Sequence, residues 1–448
     1  MPVLPPKVLD FLDRIHLRVP IRTVAFGLEA YWRRLRAPII RRQIARVVKN
    51  KRREIRTTGR KIRVCFVCHD KSTWIYQSVY DAMREDACFE PFVLAVKTWV
   101  RNNEQGARQD LVSFFRDRGM SVYTELRACA LPDVMLLPRF DEFAFQGVFK
   151  IRELYREVLF AGQIYAWITH NCDAYYFGND DLTYLWKYFM FNDRDADLCL
   201  RMKKLSHNDI VTVGFARNDE FIKAGSTGRV YWRQDTSYKI IWAPHWSVLT
   251  HGRFGNFDRY AKSMLGWLKL HPNVEMVLKP HPMLRTRMTD EVTKERFRVN
   301  NPDYREPVDL ATVEEYDAFM AEWAAQPNGS VMNSGGYADL FASSDAMVLD
   351  SGSFLAEYMF FNKPMCFCNR DRTHEELMQA FNDFGRDLFS GIEVADDFGA
   401  VEKFMDDVVR GVDRLKDERV RVREKYLMKN VGHVGEAITR YIREQLKG

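Results

Sequence analysis

The stretch that most constrains the fold is residues 340–368, LFASSDAMVLDSGSFLAEYMFFNKPMCFC. Ala346 to Leu349 is a short apolar run, as a strand buried on both faces would be. Asp350-Ser351-Gly352-Ser353 breaks it with small polar residues, and Phe354 to Phe361 resumes with apolar residues at helical spacing. Asn362-Lys363-Pro364 ends that helix, and Met365 to Cys368 reads as the next strand. At such a strand–turn–helix junction, free backbone N–H groups and the positive end of the helix dipole point at one place, which suits a phosphate. An ordinary βα turn with a serine cap has the same local pattern.

The rest of the chain repeats this alternation. Residues 61–235 read as a first Rossmann-like domain, with strands at Lys61–Cys68, Phe92–Val96, Val122–Thr124, Val134–Pro138, Gln163–Ile168 and Val211–Gly214. Helices are expected at Gln77–Asp86, Gln109–Arg118 and Ile151–Leu159. Residues 236–420 read as a second such domain, with strands at Lys239–Ala243 and Val274–Leu278, a helix at Tyr260–Leu270, an irregular polar stretch at 285–335, and the opening segment. Residues 421–448 are charged and helical and could cross back to the first domain. Strand–helix alternation implies parallel, doubly wound sheets, and ligand groups at strand C-termini imply a cleft between the two domains.

Residues 1–60 differ from both. They hold 16 Lys/Arg against 4 Asp/Glu, so the remainder of a chain of net charge +6 carries 6 − 12 = −6. The basicity is local, which argues against a nucleic-acid-binding body. The run Ala25–Arg56 alternates apolar and basic groups at helical spacing, with Pro38 as a break. Such an arm could lie on an anionic membrane surface with Trp32, Ile39, Ile40, Ile44 and Val47 facing the lipid. It could instead pack on the catalytic body with a solvated basic face. No apolar run approaches the ~18 residues a membrane span needs, and no signal-peptide pattern is expected. The eight Cys read as buried thiols of a reducing cytoplasm. Cys65 and Cys68 share one strand and, three residues apart, point to opposite faces.

Three histidines fall just past apolar strands: His170, His245 and His281. That edge of a parallel sheet is wet and concave, so a histidine there suits chemistry. Prolines flank His281 and fix its backbone, which makes it the strongest of the three; His245 could equally be a capping or packing residue. Arg217 could clamp a phosphate and Asp219 orient a hydroxyl, or the two could make an interdomain salt bridge. Lys279 could supply charge to a diphosphate, or be solvated. His69 and Asp70 end another strand and could face an acceptor. No HxH, HExxH, P-loop or GxSxG is present, so no metal site and no cofactor is expected.

KIIWAPHW (239–246), VEMVLKPHP (274–282) and LFASSDAMVLDSGSFLAEYMFFNKPMCF (340–367), in that order and spacing, resemble the C-terminal half of the CDP-glycerol glycerophosphotransferase family, the teichoic-acid and capsule polymerases and primases. VTVGFARND (211–219) is similar to that family's TGYPRND, and AWITHN (166–171) stands where it has WHGTPLK. The resemblance covers roughly 165–370. It implies an α/β GT-B fold and transfer of a polyol phosphate from a CDP-linked donor to a hydroxyl of a cell-surface polysaccharide, teichoic acid or lipid-linked primer, with release of CMP. It also implies peripheral attachment at the cytoplasmic face of a bacterial plasma membrane. His170 is then the general base and His281 stabilises the diphosphate. Asp350, Ser351, Gly352 and Ser353 surround phosphate, with Arg217, Asp219, His245 and Lys279 near the donor. The wording departs from the family at His245 (Thr in APTW), at Ser351 and Gly352 (Tyr and Ser in DYSS) and at Ala216 (Pro in PRND). A sugar-nucleotide glycosyltransferase of the same fold, or a non-catalytic nucleotide-binding partner of a membrane complex, fits the same cleft.

Overall fold

A computed structural model describes residues 18–96, 105–140, 145, 148–225, 231–233, 238–249, 254–301, 308–333 and 336–448, with side chains except at 18–35, 105–109 and 353. Two parallel sheets organise them. The first contains β1 (Ile62–Cys68), β2 (Phe89–Ala95), β3 (Val122–Tyr123), β4 (Val134–Leu137), β5 (Leu159–Gly162), β6 (Leu185–Met190) and β7 (Ile210–Thr212), in the order β3-β2-β1-β4-β5-β6-β7. The second contains β8 (Tyr238–Ala243), β9 (Val274–Leu278), β10 (Gly329–Val331), β11 (Ala346–Leu349), β12 (Met365–Cys368) and β13 (Glu393–Ala395), in the order β10-β9-β8-β11-β12-β13. Each order reverses once, at β1/β4 and at β8/β11. This is the doubly wound, GT-B-like architecture the resemblance implies. In such sheets ligands bind past the strand C-termini at the reversal.

Continuous apolar runs arise because helices cover both faces of each sheet. Within β8, Ile241 and Ala243 join the core that continues into the first domain, while Ile240 and Trp242 join a second core on the far face with Phe257, Met264 and Trp323. The first core is thus shared across the domain boundary.

Several expectations need correction. The strand expected at Gln163–Ile168 lies earlier, at β5, and begins at the last residue of the segment read as a helix, Ile151–Leu159; the observed helix there is only Ile151–Leu154. His170 therefore stands in a loop eight residues beyond β5, not at a strand end. β6 and β13 carried no recognised signal. Residues 285–335 are largely helical, with helices Leu284–Thr289, Glu291–Asn300 and Val313–Ala324.

The N-terminal helix runs unbroken from Arg18 to Thr58 through Pro38. Ile40, Ile44 and Val47 do not face outward: they are buried in the core of the first domain, as is Ile55. Ile39 is 63% exposed, and the Trp32 side chain lies outside the described residues. Among the described residues no helix is long and apolar enough to cross a membrane. The last helix, Val434–Leu446, packs on the first domain, where Gly435 lies directly against the Ser78 backbone.

Candidate active site

Register brings three strand ends together. Ala243 pairs with Leu349 and Trp242 with Leu278, so Pro244-His245, Asp350-Ser351-Gly352 and Lys279-Pro280-His281 all emerge at one edge of the second sheet. The His281 amide donates to the Pro244 carbonyl at 3.0 Å, tying two of these exits. The buried Asp350 carboxylate ties another pair, accepting from the His245 and Asn256 amides at 2.6 Å each. Burial pushes its pKa up to about 7 against the pull of those amides. Asp350 is thus a brace beneath the turn.

The His245 and His281 rings stand 5.3 Å apart, centroid to centroid. Their hydrogen bonds fix which nitrogen faces ligand. Ser247 Oγ accepts from the Phe254 and Gly255 amides, so its one proton goes to His245 Nδ1 at 2.7 Å. His281 Nδ1 accepts from the Met283 amide at 3.1 Å. Both neutral rings therefore carry their proton on Nε2, as donors. Burial, with the neighbouring His281 and His170 charges second, pushes the His245 pKa down to about 3, so this ring is neutral at physiological pH.

His170 reaches the same place from the first domain. Its loop is held by the segment before the helix Asp383–Phe389. Asn171 N donates to Ala380 O, Asn382 N donates to Thr169 O, and Asn382 Nδ2 donates to Ile168 O at 2.8 Å. The His170 ring stacks on Phe381 at 4.8 Å and meets Phe254 edge-on. It lies directly over Gly352: a Cβ built there would stand 2.0 Å from His170 Cε1. This accounts for the departure at Gly352, because any larger residue would evict the imidazole. Thr169 Oγ1 donates to Gly352 O at 3.1 Å, so towards His170 Nδ1 at 3.4 Å it acts as acceptor. Nε2 is then the basic nitrogen of His170. Burial lowers its pKa, keeping the ring neutral.

Lys279 is 6% exposed, yet its ammonium has no hydrogen-bond partner among the described residues. It lies over the rings of Tyr337 and Phe354, at 5.3 and 5.5 Å. Burial lowers its pKa to about 8, with Glu357 opposing. A largely buried cation that makes no hydrogen bond is costly, and an anion would complete it.

Two expected donor residues are committed elsewhere. Arg217 donates to the Tyr337 hydroxyl and to the carbonyls of Ser72 (2.7 Å) and Trp74, and stands 3.8 Å from Glu357. This is the interdomain bridge rather than an open phosphate clamp. Asp219 accepts from the Gly432, Val434 and Gly435 amides, so its carboxylate anchors the start of the last helix instead of a ligand hydroxyl. Asp70 is spent likewise on the Ser72 amide and hydroxyl. Ser351 is buried at the turn, and the Ser353 side chain lies outside the described residues.

Sequence reasoning missed Tyr337, Glu357, Phe354, Phe381 and Asn382. Only Glu357 left a signal, as a lone acid within the apolar helix Gly352–Met359. Its carboxylate is buried, accepts from the Tyr337 hydroxyl, and has its pKa raised by burial.

No family model and no curated protein matches this chain. Solved structures do. UDP-GlcNAc 2-epimerase from Neisseria meningitidis bound to UDP-GlcNAc is similar over 86% of this chain and 100% of that one, at 11% identity and a TM-score of 0.54. S. aureus MnaA, in a structure with UDP, is similar over 86% of this chain and 97% of that one, at 13% identity and a TM-score of 0.51. The wall teichoic acid polymerase TagF is similar over 94% of this chain and 98% of that one, at 11% identity and a TM-score of 0.53. At these identities the likeness is one of fold, and its neighbours include a protein of the group that the sequence motifs resemble.

Proposed function

We propose that the chain is a phosphotransferase that moves a polyol phosphate, glycerol phosphate first among them, from a CDP-linked donor to a hydroxyl of a cell-surface polymer or its lipid-linked primer. The observation that carries this reading is the convergence of one basic nitrogen, two imidazole N–H donors and the ammonium of a largely buried lysine at the strand reversal of the second sheet. A diphosphate requires such donors, and an alcohol requires such a base.

In the reaction, the acceptor oxygen attacks the phosphorus that carries the polyol. Its proton passes to His170 Nε2. The new P–O bond forms as the bond to the bridging oxygen breaks, and CMP leaves with that oxygen. His245 and His281 donate through Nε2 to phosphate oxygens, Lys279 supplies the positive charge, and the amides at 351–353 open the helix Gly352–Met359 toward the anion. Arg217 and Asp219 hold the frame.

The test is a screen of CDP-, UDP- and CMP-linked donors with product analysis. CMP release with a phosphodiester product supports the reading, and a glycosidic product from a sugar nucleotide replaces it with the glycosyltransferase one. Replacing His170 or His281 with Ala should cut turnover by about 10² or more. If neither change alters the kinetics, the chemistry assigned to them is wrong.

A further inference from the structure

Lys279 has an acid close by and does not pair with it. The Glu357 carboxylate, on the helix Gly352–Met359, is 4% exposed, and it is the charge that works against burial in setting the Lys279 pKa. Lys279 acts on Glu357 in the same way. Yet among the described residues no ion pair and no hydrogen bond joins the two; the nearest partners of the carboxylate are Tyr337 and Arg217. A buried carboxylate and a largely buried ammonium are each costly alone, so two such groups in one pocket tend to close on each other. Something holds them apart.

The contacts of Tyr337 account for it. Its hydroxyl accepts from Arg217 Nη1 and has one proton of its own, which goes to Glu357 Oε2. Neither direction can reverse, because a guanidinium does not accept and a carboxylate does not donate. Glu357 Oε1 faces the same guanidinium at 3.8 Å. Arg217 is fixed in turn, since its Nη2 donates to the Ser72 carbonyl at 2.7 Å and to the Trp74 carbonyl at 3.2 Å. The Tyr337 ring packs against Phe341 at 4.8 Å and Phe354 at 5.1 Å. It presents its face to the ammonium, 5.3 Å away, and its hydroxyl to the acid.

We propose that Tyr337 is a positioning residue that keeps Glu357 off Lys279, so that the ammonium stays open to the donor diphosphate. The inference rests on the transferase reading, which gives Lys279 a diphosphate to meet. An aromatic face attracts a cation through its quadrupole and supplies no oxygen. It steadies the ammonium and leaves the three N–H donors available. A carboxylate in that place would occupy some of those donors and neutralise the charge, and the ligand would have to displace it before binding. A phenol suits the task because it gives a buried carboxylate oxygen its hydrogen bond without adding a charge.

The test is CDP binding by the full chain, measured by calorimetry at about pH 7, which needs no turnover. Lys279→Met should weaken binding about tenfold or more, the scale of a hydrogen bond between charged groups. Tyr337→Phe keeps the ring and removes only the hydroxyl. It too should weaken binding about tenfold, because Glu357 Oε2 then takes the ammonium as its donor. Adding Glu357→Gln to Tyr337→Phe removes the competing charge and should return the affinity to within about threefold of wild type. A hydroxyl with a merely structural role predicts the reverse, since the second change would deepen the defect. The outcomes separate the two readings. If the wild type does not bind CDP, or Lys279→Met binds it as tightly as the wild type, the transferase role of Lys279 falls and this inference with it. If Lys279→Met binds more weakly but Tyr337→Phe matches the wild type, or if Glu357→Gln fails to restore the Tyr337→Phe protein, this inference alone is overturned.

Discussion

Gly352→Ala isolates the central contact of the site. The new Cβ would stand 2.0 Å from His170 Cε1 and under 3 Å from both ring nitrogens. Carbon atoms in contact sit about 3.5–4.0 Å apart, so the overlap exceeds what small adjustments absorb. Phe381 stacks on one face of the ring, Phe254 meets it edge-on, and the backbone on either side is pinned to Ala380 and Asn382. The imidazole must therefore swing out of its seat. Overpacking of this kind costs about 1–3 kcal/mol, while alanine in place of glycine in a helix returns up to about 1 kcal/mol. The net loss is about 0–3 kcal/mol, a few degrees in melting temperature for a chain of this length. Turnover should fall far more, by about 10² or beyond, because the base leaves. Thermal unfolding and CMP release from a CDP-linked donor measure the two effects on one preparation. Turnover within about threefold of wild type at an unchanged melting temperature would refute the placement of His170 against Gly352.

Lys279→Met should leave the unliganded protein as stable or more so, since it replaces a largely buried lysine whose ammonium makes no hydrogen bond among the described residues, while cutting turnover by about 10²; a destabilised, active variant contradicts this. His245 gives a pH signature. Its folded pKa, about 3, lies below the ordinary histidine value of about 6.5. The stability it contributes is present above about 6.5 and is lost as pH falls toward 3, about 2 kcal/mol by pH 5. Asp350, with its pKa raised to about 7, works in the opposite direction, so the comparison must be wild type against His245→Gln, which should lack the acid loss. Parallel stability curves for the two proteins count against a neutral His245. Asp219→Ala strips three backbone amides of their acceptor and should cost about 3 kcal/mol. Limited proteolysis should then cut first near residues 427–434, and cleavage elsewhere first argues against that anchor.

The sequence by itself determined the class of fold and the rough inventory of the cleft. Apolar runs ending in Pro244-His245, Lys279-Pro280-His281 and Asp350-Ser351-Gly352 are strands because covered parallel sheets require unbroken hydrophobic stretches, and the polar residues after them mark the ligand-binding edge. Strand β5 escaped because Leu159–Gly162 is a short apolar run, which period alone cannot tell from helix. The tertiary structure decided what the side chains do. Arg217 and Asp219 follow one another in a motif, yet one bridges domains and the other anchors a helix more than 200 residues away. Tyr337 and Phe381 join the site only because the chain closes around it. The N-terminal helix shows the same division. Its pattern of apolar and basic residues is local and readable, but which of two apolar media receives the apolar face, lipid or protein, depends on whether a folded surface waits for it. Here the first domain does, and the basic face is left turned outward.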